Sequence, residues 1–251
     1  MVSNLIRSSG LWLWSGLAMT LAAQAQAGIV LNTTRVIYSG ADKEVSLQVH
    51  NTGTGDILAQ SWLEADRESV TSTPPPFAIT PSLARMSGDG RQLIRLIYSG
   101  EGLAQDRESV LWLNVQEIPQ TGDENQLQIA IRQRIKLFYR PQGLIADPSK
   151  AAQSLKWQLR GRQLEVINPG PYHVSMLKIE GRQKGQVMLL DENRMLAPAQ
   201  RLLLPLKQAS GPGPLELAFT SINDFGAQES YRASVLGDRA TQASKTESRP
   251  D

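Results

Sequence analysis

Leu127-Gln128-Ile129-Ala130-Ile131-Arg132-Gln133-Arg134-Ile135-Lys136-Leu137-Phe138-Tyr139-Arg140-Pro141 places apolar side chains at 127, 129, 131, 135 and 137. Successive side chains of a β-strand face opposite ways, so this period of two reads as one long strand with an apolar row and a largely polar or basic row. Ordinary strands average about 5 to 6 residues, far fewer than this one. On periodicity alone it could be a long core strand of a sandwich or an edge strand, which is a template for pairing with another chain. Lys136 is even-numbered and so opposes the odd apolar row. A bulge or a strong twist near Arg132-Gln133-Arg134 would bring both into one groove, and the pattern does not choose between them.

The flanking segments carry the same alternation. Ser109 to Ile118 sets Val110, Trp112, Asn114 and Gln116 against Leu111, Leu113, Val115 and Glu117. Pro119 to Gln126, with Thr121-Gly122-Asp123, is a short connection, so this strand and the stretch from Leu127 should pair antiparallel. Further strand candidates are Gly28 to Tyr38, Glu44 to Val49, Ile57 to Leu63 and Leu93 to Tyr98, separated by turn residues. Pro74-Pro75-Pro76 excludes a central strand there and suggests a kink or a strand changing sheets, with room for a cis bond. Arg140-Pro141-Gln142-Gly143 ends the long strand, and residues 142–149 read as a linker. About seven more short strands follow between Leu155 and Leu236. The stretch from Gly237 to Asp251 is polar without apolar period and reads as a disordered tail. The expected fold is therefore all-β, with one sandwich over residues 28–141 and another over 150–236.

Composition agrees with two domains of ordinary size: 251 residues, 41% hydrophobic and 20% charged. The formal charge of +2 is too small for a nucleic-acid polycation, though it leaves room for a local basic cleft. Residues 1–27 hold one cation, Arg7, an apolar run from Leu11 to Ala23, and Ala25-Gln26-Ala27. That is the layout of a secretory signal cleaved after Ala27, leaving Gly28 first in an exported chain with no membrane span. Zero cysteines excludes disulfides, thiol nucleophiles and Cys-based zinc sites. His50 and His173 have no Asp, Glu or Cys at ligand spacing and read as structural. No G-x-S-x-G, H-E-x-x-H or phosphate loop is present, so neither an enzyme nor a cofactor or metal site is expected. A strand arginine and a strand lysine, such as Arg35 and Lys136, are by themselves ordinary surface charges.

Several segments resemble a known family. Leu127-Gln128-Ile129-Ala130, Ile135-Lys136-Leu137-Phe138-Tyr139-Arg140-Pro141 and Thr34-Arg35-Val36-Ile37-Tyr38 are similar to strand motifs of the periplasmic pilus chaperones of the chaperone-usher pathway, the PapD-like proteins. The resemblance covers nearly the whole chain and implies two immunoglobulin-like sandwiches in an L-shaped, boomerang arrangement. It implies that Arg35 and Lys136 anchor the terminal carboxylate of a fimbrial subunit. It also implies that Leu127, Ile129 and Ile131 are lent to the subunit as a donor strand, and that Glu108, Arg140 and Asp224 form an interdomain ion cluster. The implied setting is the periplasm, with an outer-membrane usher as second partner. The brief loop before the long strand matches the short-loop subclass, whereas the cysteine pair common in the second domain is missing. A pilus subunit or adhesin would instead show an apolar alternating extension at its mature N-terminus and one incomplete domain. A periplasmic hydrolase would need a cleft of titratable partners.

Overall fold

The computed structural model describes residues 28–65, 74–120, 129–208 and 211–246. The predicted signal segment, Leu127 with Gln128, and the last five residues lie outside them. The first half is a sandwich of two sheets. One contains β1 (Ile29–Leu31), β3 (Val45–Asn51), β7 (Arg91–Tyr98) and β5 (Phe77–Thr80), in that order. The other runs β2 (Arg35–Ser39), β9 (Arg132–Arg140), β8 (Ser109–Pro119), β4 (Ile57–Ala65), β6 (Leu83–Met86). Alternation sets the core: Leu47, Val49, Leu96, Leu111, Leu113, Val115 and Leu137 are fully buried between the sheets. β8 and β9 pair antiparallel, as the short connection between them requires.

Two strands change sheets. The opening stretch, which reads as a single strand, divides into β1 and β2, and each half joins a different sheet. Its break falls at Thr33, whose hydroxyl donates to the carbonyl of Arg35 (2.7 Å) and so bends the chain locally. The second change occurs between β5 and β6 at a cis Thr80–Pro81 bond, not at Pro74-Pro75-Pro76. Pro81 has no N–H to give a ladder and therefore suits the joint between sheets.

After a one-turn 3₁₀ segment (Pro148–Lys150), capped by Asp147 accepting from the Ser149 N–H, comes the short helix α1 (Ala151–Ser154). The second sandwich follows. Its sheets run β14 (Arg201–Pro205), β11 (Gln163–Ile167), β10 (Lys156–Arg160), β17 (Thr241–Gln242), and β13 (Gln186–Leu196), β12 (Val174–Gln183), β15 (Leu215–Ile222), β16 (Gln228–Val235), β18 (Ser244–Thr246). Trp157, Phe219 and Tyr231 stack through its centre with centroids 5.2 and 5.1 Å apart.

The polar stretch after Gly237 is not a disordered tail as far as Thr246. β17 pairs with β10 and β18 with β16, Ala243 is buried between them, and Lys245 reaches Glu229 at 3.0 Å. Strands this short rest on backbone bonds and one small apolar residue, and so leave no periodic signature.

Candidate functional site

β9 organises the site. Its residues 136–139 lie between β8 and β2, with Arg35 opposite Lys136 in the parallel ladder. Residues 132–135 pair with β8 alone, because β2 begins only at Arg35 and its register reaches no farther back than Lys136. Their other side is an open sheet edge among the described strands. The ladder to β8 extends one step further, with the Glu117 N–H donating to the Ile131 carbonyl at 2.9 Å. It stops as β8 reaches Pro119, which has no N–H to donate. The strand is therefore Arg132–Arg140, shorter than the stretch the alternation suggests.

The odd-numbered apolar row divides at this point. Leu137 is fully buried and Ile135 packs against the first core. Ile129 is 69% exposed and Ile131 also meets solvent. The third donor-strand candidate, Leu127, lies outside the described residues. The β8–β9 register runs one-for-one from Ser109 opposite Tyr139 to Gln116 opposite Arg132, so no bulge moves Lys136 onto the apolar side. The cations and the apolar row occupy opposite faces of one regular strand.

On the basic face, the Arg134 guanidinium lies 4.1 Å over the ring of Trp112 and Lys136 Nζ 5.6 Å from the same ring. Arg35 enters this face from β2. One of its terminal nitrogens donates to the Ile222 carbonyl at 3.1 Å, and its guanidinium sits 5.8 Å from the Phe138 ring. Its Nε is buried and has no hydrogen-bond partner among the described residues. Burial lowers the pKa of Arg35, with Asp224 and Glu108 opposing the shift and Arg140 adding to it. A guanidinium so placed has a donor in reserve for an anion.

The three residues expected to join the domains come together. Arg140 donates from Nε to Glu108 (2.7 Å) and from both terminal nitrogens to Asp224 (2.6 and 2.7 Å). Burial by itself would lower the pKa of Arg140, but Asp224 and Glu108 overcome it and the net shift is upward. Sequence reasoning missed the fourth member. The His173 side chain is buried, and the residue offers both its backbone N–H and its Nδ1 to the second oxygen of Glu108, each at 2.8 Å. Tyr172 lies under the Arg140 guanidinium at 5.1 Å. No local pattern links His173 to a glutamate so far away in the chain.

Asp224 belongs to the β15–β16 turn, where the Asn223 side chain accepts from the N–H groups of Phe225 and Ala227. Gly226 has φ +82, and a Cβ there would stand 2.6 Å from the Thr34 hydroxyl, so only glycine lets this turn press against the first sandwich. Asp224→Asn should lower the unfolding free energy by about 1–2 kcal/mol, since the lost charge is partly exposed and Glu108 still holds Arg140. A melting midpoint unchanged from the parent would contradict that role for the turn.

Two family descriptions match this chain: pili and flagellar-assembly chaperone, PapD N-terminal domain, over residues 28–145, and pili assembly chaperone PapD, C-terminal domain, over residues 150–233. The chain belongs to this chaperone family. It is 37% identical over 222 residues to the probable fimbrial chaperone YadV of Escherichia coli K12, covering 83% of this chain and 90% of YadV. It is 36% identical over 234 residues to the chaperone protein FimB/FhaD of Bordetella pertussis, covering 89% and 94% of the two chains. The YadV crystal structure superposes with a TM-score of 0.71 over 83% of this chain and all of that one. The SafB chaperone of Salmonella enterica, solved in complex with the SafA pilin, superposes with a TM-score of 0.68 at 26% identity over 82% of this chain and 95% of that one. The chaperone has, among its described residues, no helix long and apolar enough to cross a membrane and no cluster of three or more ligating side chains.

Proposed function

We propose that this chaperone captures fimbrial subunits in the periplasm by lending them the open edge of β9, and that it passes them to an outer-membrane usher without any catalytic step. The observation that carries this reading is the division of the apolar row: Leu137 serves the chaperone's own core, while Ile129 and Ile131 stand in solvent next to a strand edge left unpaired among the described residues. Large apolar side chains beside an open ladder favour addition of a partner strand, in which backbone bonds supply affinity and the side chains supply specificity. An incomplete immunoglobulin-like subunit presents the complementary defect, a groove that lacks a strand.

Arg35 and Lys136 fix the register of that addition. They face each other across the β2–β9 ladder at the point where the open edge ends. A subunit strand running along β9 toward this point would bring its terminal carboxylate to both cations. Charge-assisted bonds of this kind contribute roughly 1.5 to 3 kcal/mol each. Arg35→Ala and Lys136→Ala should each lower recovery of co-expressed subunit at least about tenfold, the ratio that 1.4 kcal/mol represents. Unfolding in urea should change little for Lys136→Ala. Full recovery of subunit complexes with both variants would remove the cationic anchor from the mechanism.

A further inference from the structure

The core face of β8 carries Leu111, Leu113 and Val115, all fully buried, and the next residue on that row is Glu117. Its side chain closes the end of the first sandwich with 8% of the residue exposed. Oε2 is buried and has no hydrogen-bond partner among the described residues, and burial pushes the carboxyl pKa up. A buried carboxylate without a partner is costly, and it is relieved by protonation or by a cation.

Gly28 lies directly against it. A Cβ on Gly28 would fall 1.6 Å from Oε2 and 2.4 Å from Oε1, so the carboxylate occupies the space of a side chain at this position. Standard backbone geometry then puts the Gly28 nitrogen within about 4 Å of Oε2. The placement is held from both sides: Thr52 donates its N–H to the Gly28 carbonyl at 2.8 Å, and the adjacent Ile29, the first residue of β1, is buried and pairs with Asn51 of β3.

We propose that Glu117 is the receptor for the mature N-terminus: the α-ammonium of Gly28, created when residues 1–27 are removed, pairs with the orphaned carboxylate and pins β1 to the end of β8. The inference rests on cleavage after Ala27. Hydrolysis of the Ala27–Gly28 bond consumes one water, leaves a carboxylate on Ala27 and frees an amine on Gly28. That amine takes up a proton near neutral pH because its ordinary pKa is about 7.7–8.0. The uncleaved chain has only a neutral peptide nitrogen at this point, so the pair forms after processing. A side chain at position 28 would displace the carboxylate from this place.

Intact mass of periplasmic protein tests the cleavage site separately: a first residue other than Gly28 overturns the processing route. Protein released from a cleavable tag tests the pair itself, with Gly28 first or preceded by Ser-Ala, each with Glu117 or as E117Q. The extension should lower the melting midpoint by several degrees when Glu117 is present and leave E117Q nearly unchanged. Equal losses in both backgrounds would overturn the pairing. Acylation of the Gly28 amine at pH 7 gives a readout that does not depend on the variant folding. A rise of one pKa unit leaves about tenfold less free amine, so folded Glu117 protein should react about tenfold more slowly than E117Q or than the same chain unfolded in urea. Equal rates would overturn the proposal.

Discussion

Arg140→Ala should lower the unfolding free energy by roughly 3–5 kcal/mol, the usual cost of removing one partner of a buried ion pair. The loss comes mainly from what stays behind. Glu108 has 1% of its side chain exposed and, among the described residues, would keep only His173 as a hydrogen-bond partner for its two oxygens. Asp224 would lose both bonds that tie the β15–β16 turn to the end of β9. Since 1 kcal/mol shifts the melting midpoint of a chain of this size by about 2–4 °C, a fall on the order of 10 °C is expected. Neutralising the stranded carboxylate should recover part of it, so Arg140→Ala combined with Glu108→Gln should be more stable than Arg140→Ala alone. Urea unfolding of both proteins checks this, and a double variant less stable than the single one would show that the energetics of the cluster have another origin.

Leu137→Asp and Ile129→Asp should differ sharply although both substitute the same row of one segment. Leu137 is fully buried between the sheets, and an unpaired carboxylate there costs several kcal/mol, enough to unfold the first sandwich. Ile129 stands in solvent, where substitutions usually change stability by less than about 0.5 kcal/mol. Its cost falls on the partner. Burying an isoleucine in a subunit groove is worth roughly 1.5–3 kcal/mol, and a carboxylate placed there adds a further desolvation penalty. Ile129→Asp should therefore purify folded and fail to retain co-expressed subunit, while Ala130→Asp on the opposite row should retain much more. An Ile129→Asp protein that unfolds at markedly lower urea would assign the residue to the chaperone's own core.

That contrast also marks where the sequence can be read and where it cannot. Alternation in Ser109 to Ile118 and in the stretch from Leu127 identifies two long antiparallel strands and the face each side chain takes. It is silent about neighbours. Ile129 and Leu137 share a parity, and what separates their roles is how far β2 and β8 extend on either side, which depends on pairing across the chain. The division of the opening stretch at Thr33 is hidden for the same reason, since a period of two names a face and not a sheet. Arg35 and Lys136 become neighbours only through a parallel ladder between residues far apart in sequence. The grouping of Glu108, Arg140 and Asp224 was legible through family resemblance alone. His173 stayed outside it because no spacing rule connects a buried histidine to a glutamate in another domain. Glu117 is the converse case: its place on the apolar row of β8 is visible in the alternation, and what it faces is not.

Amide hydrogen exchange over residues 129–135, in the free chaperone and in its complex with a fimbrial subunit, tests the lending of β9 most directly. In the free protein the amides pointing away from β8 have no strand partner among the described residues and should exchange rapidly. In the complex they should become protected by at least about a hundredfold, as expected of amides drawn into a continuous sheet, while those of Leu111, Leu113 and Val115 change little. Fast exchange at 129–135 that persists in a stable complex would mean that the subunit is held elsewhere and that this edge is not the strand it receives.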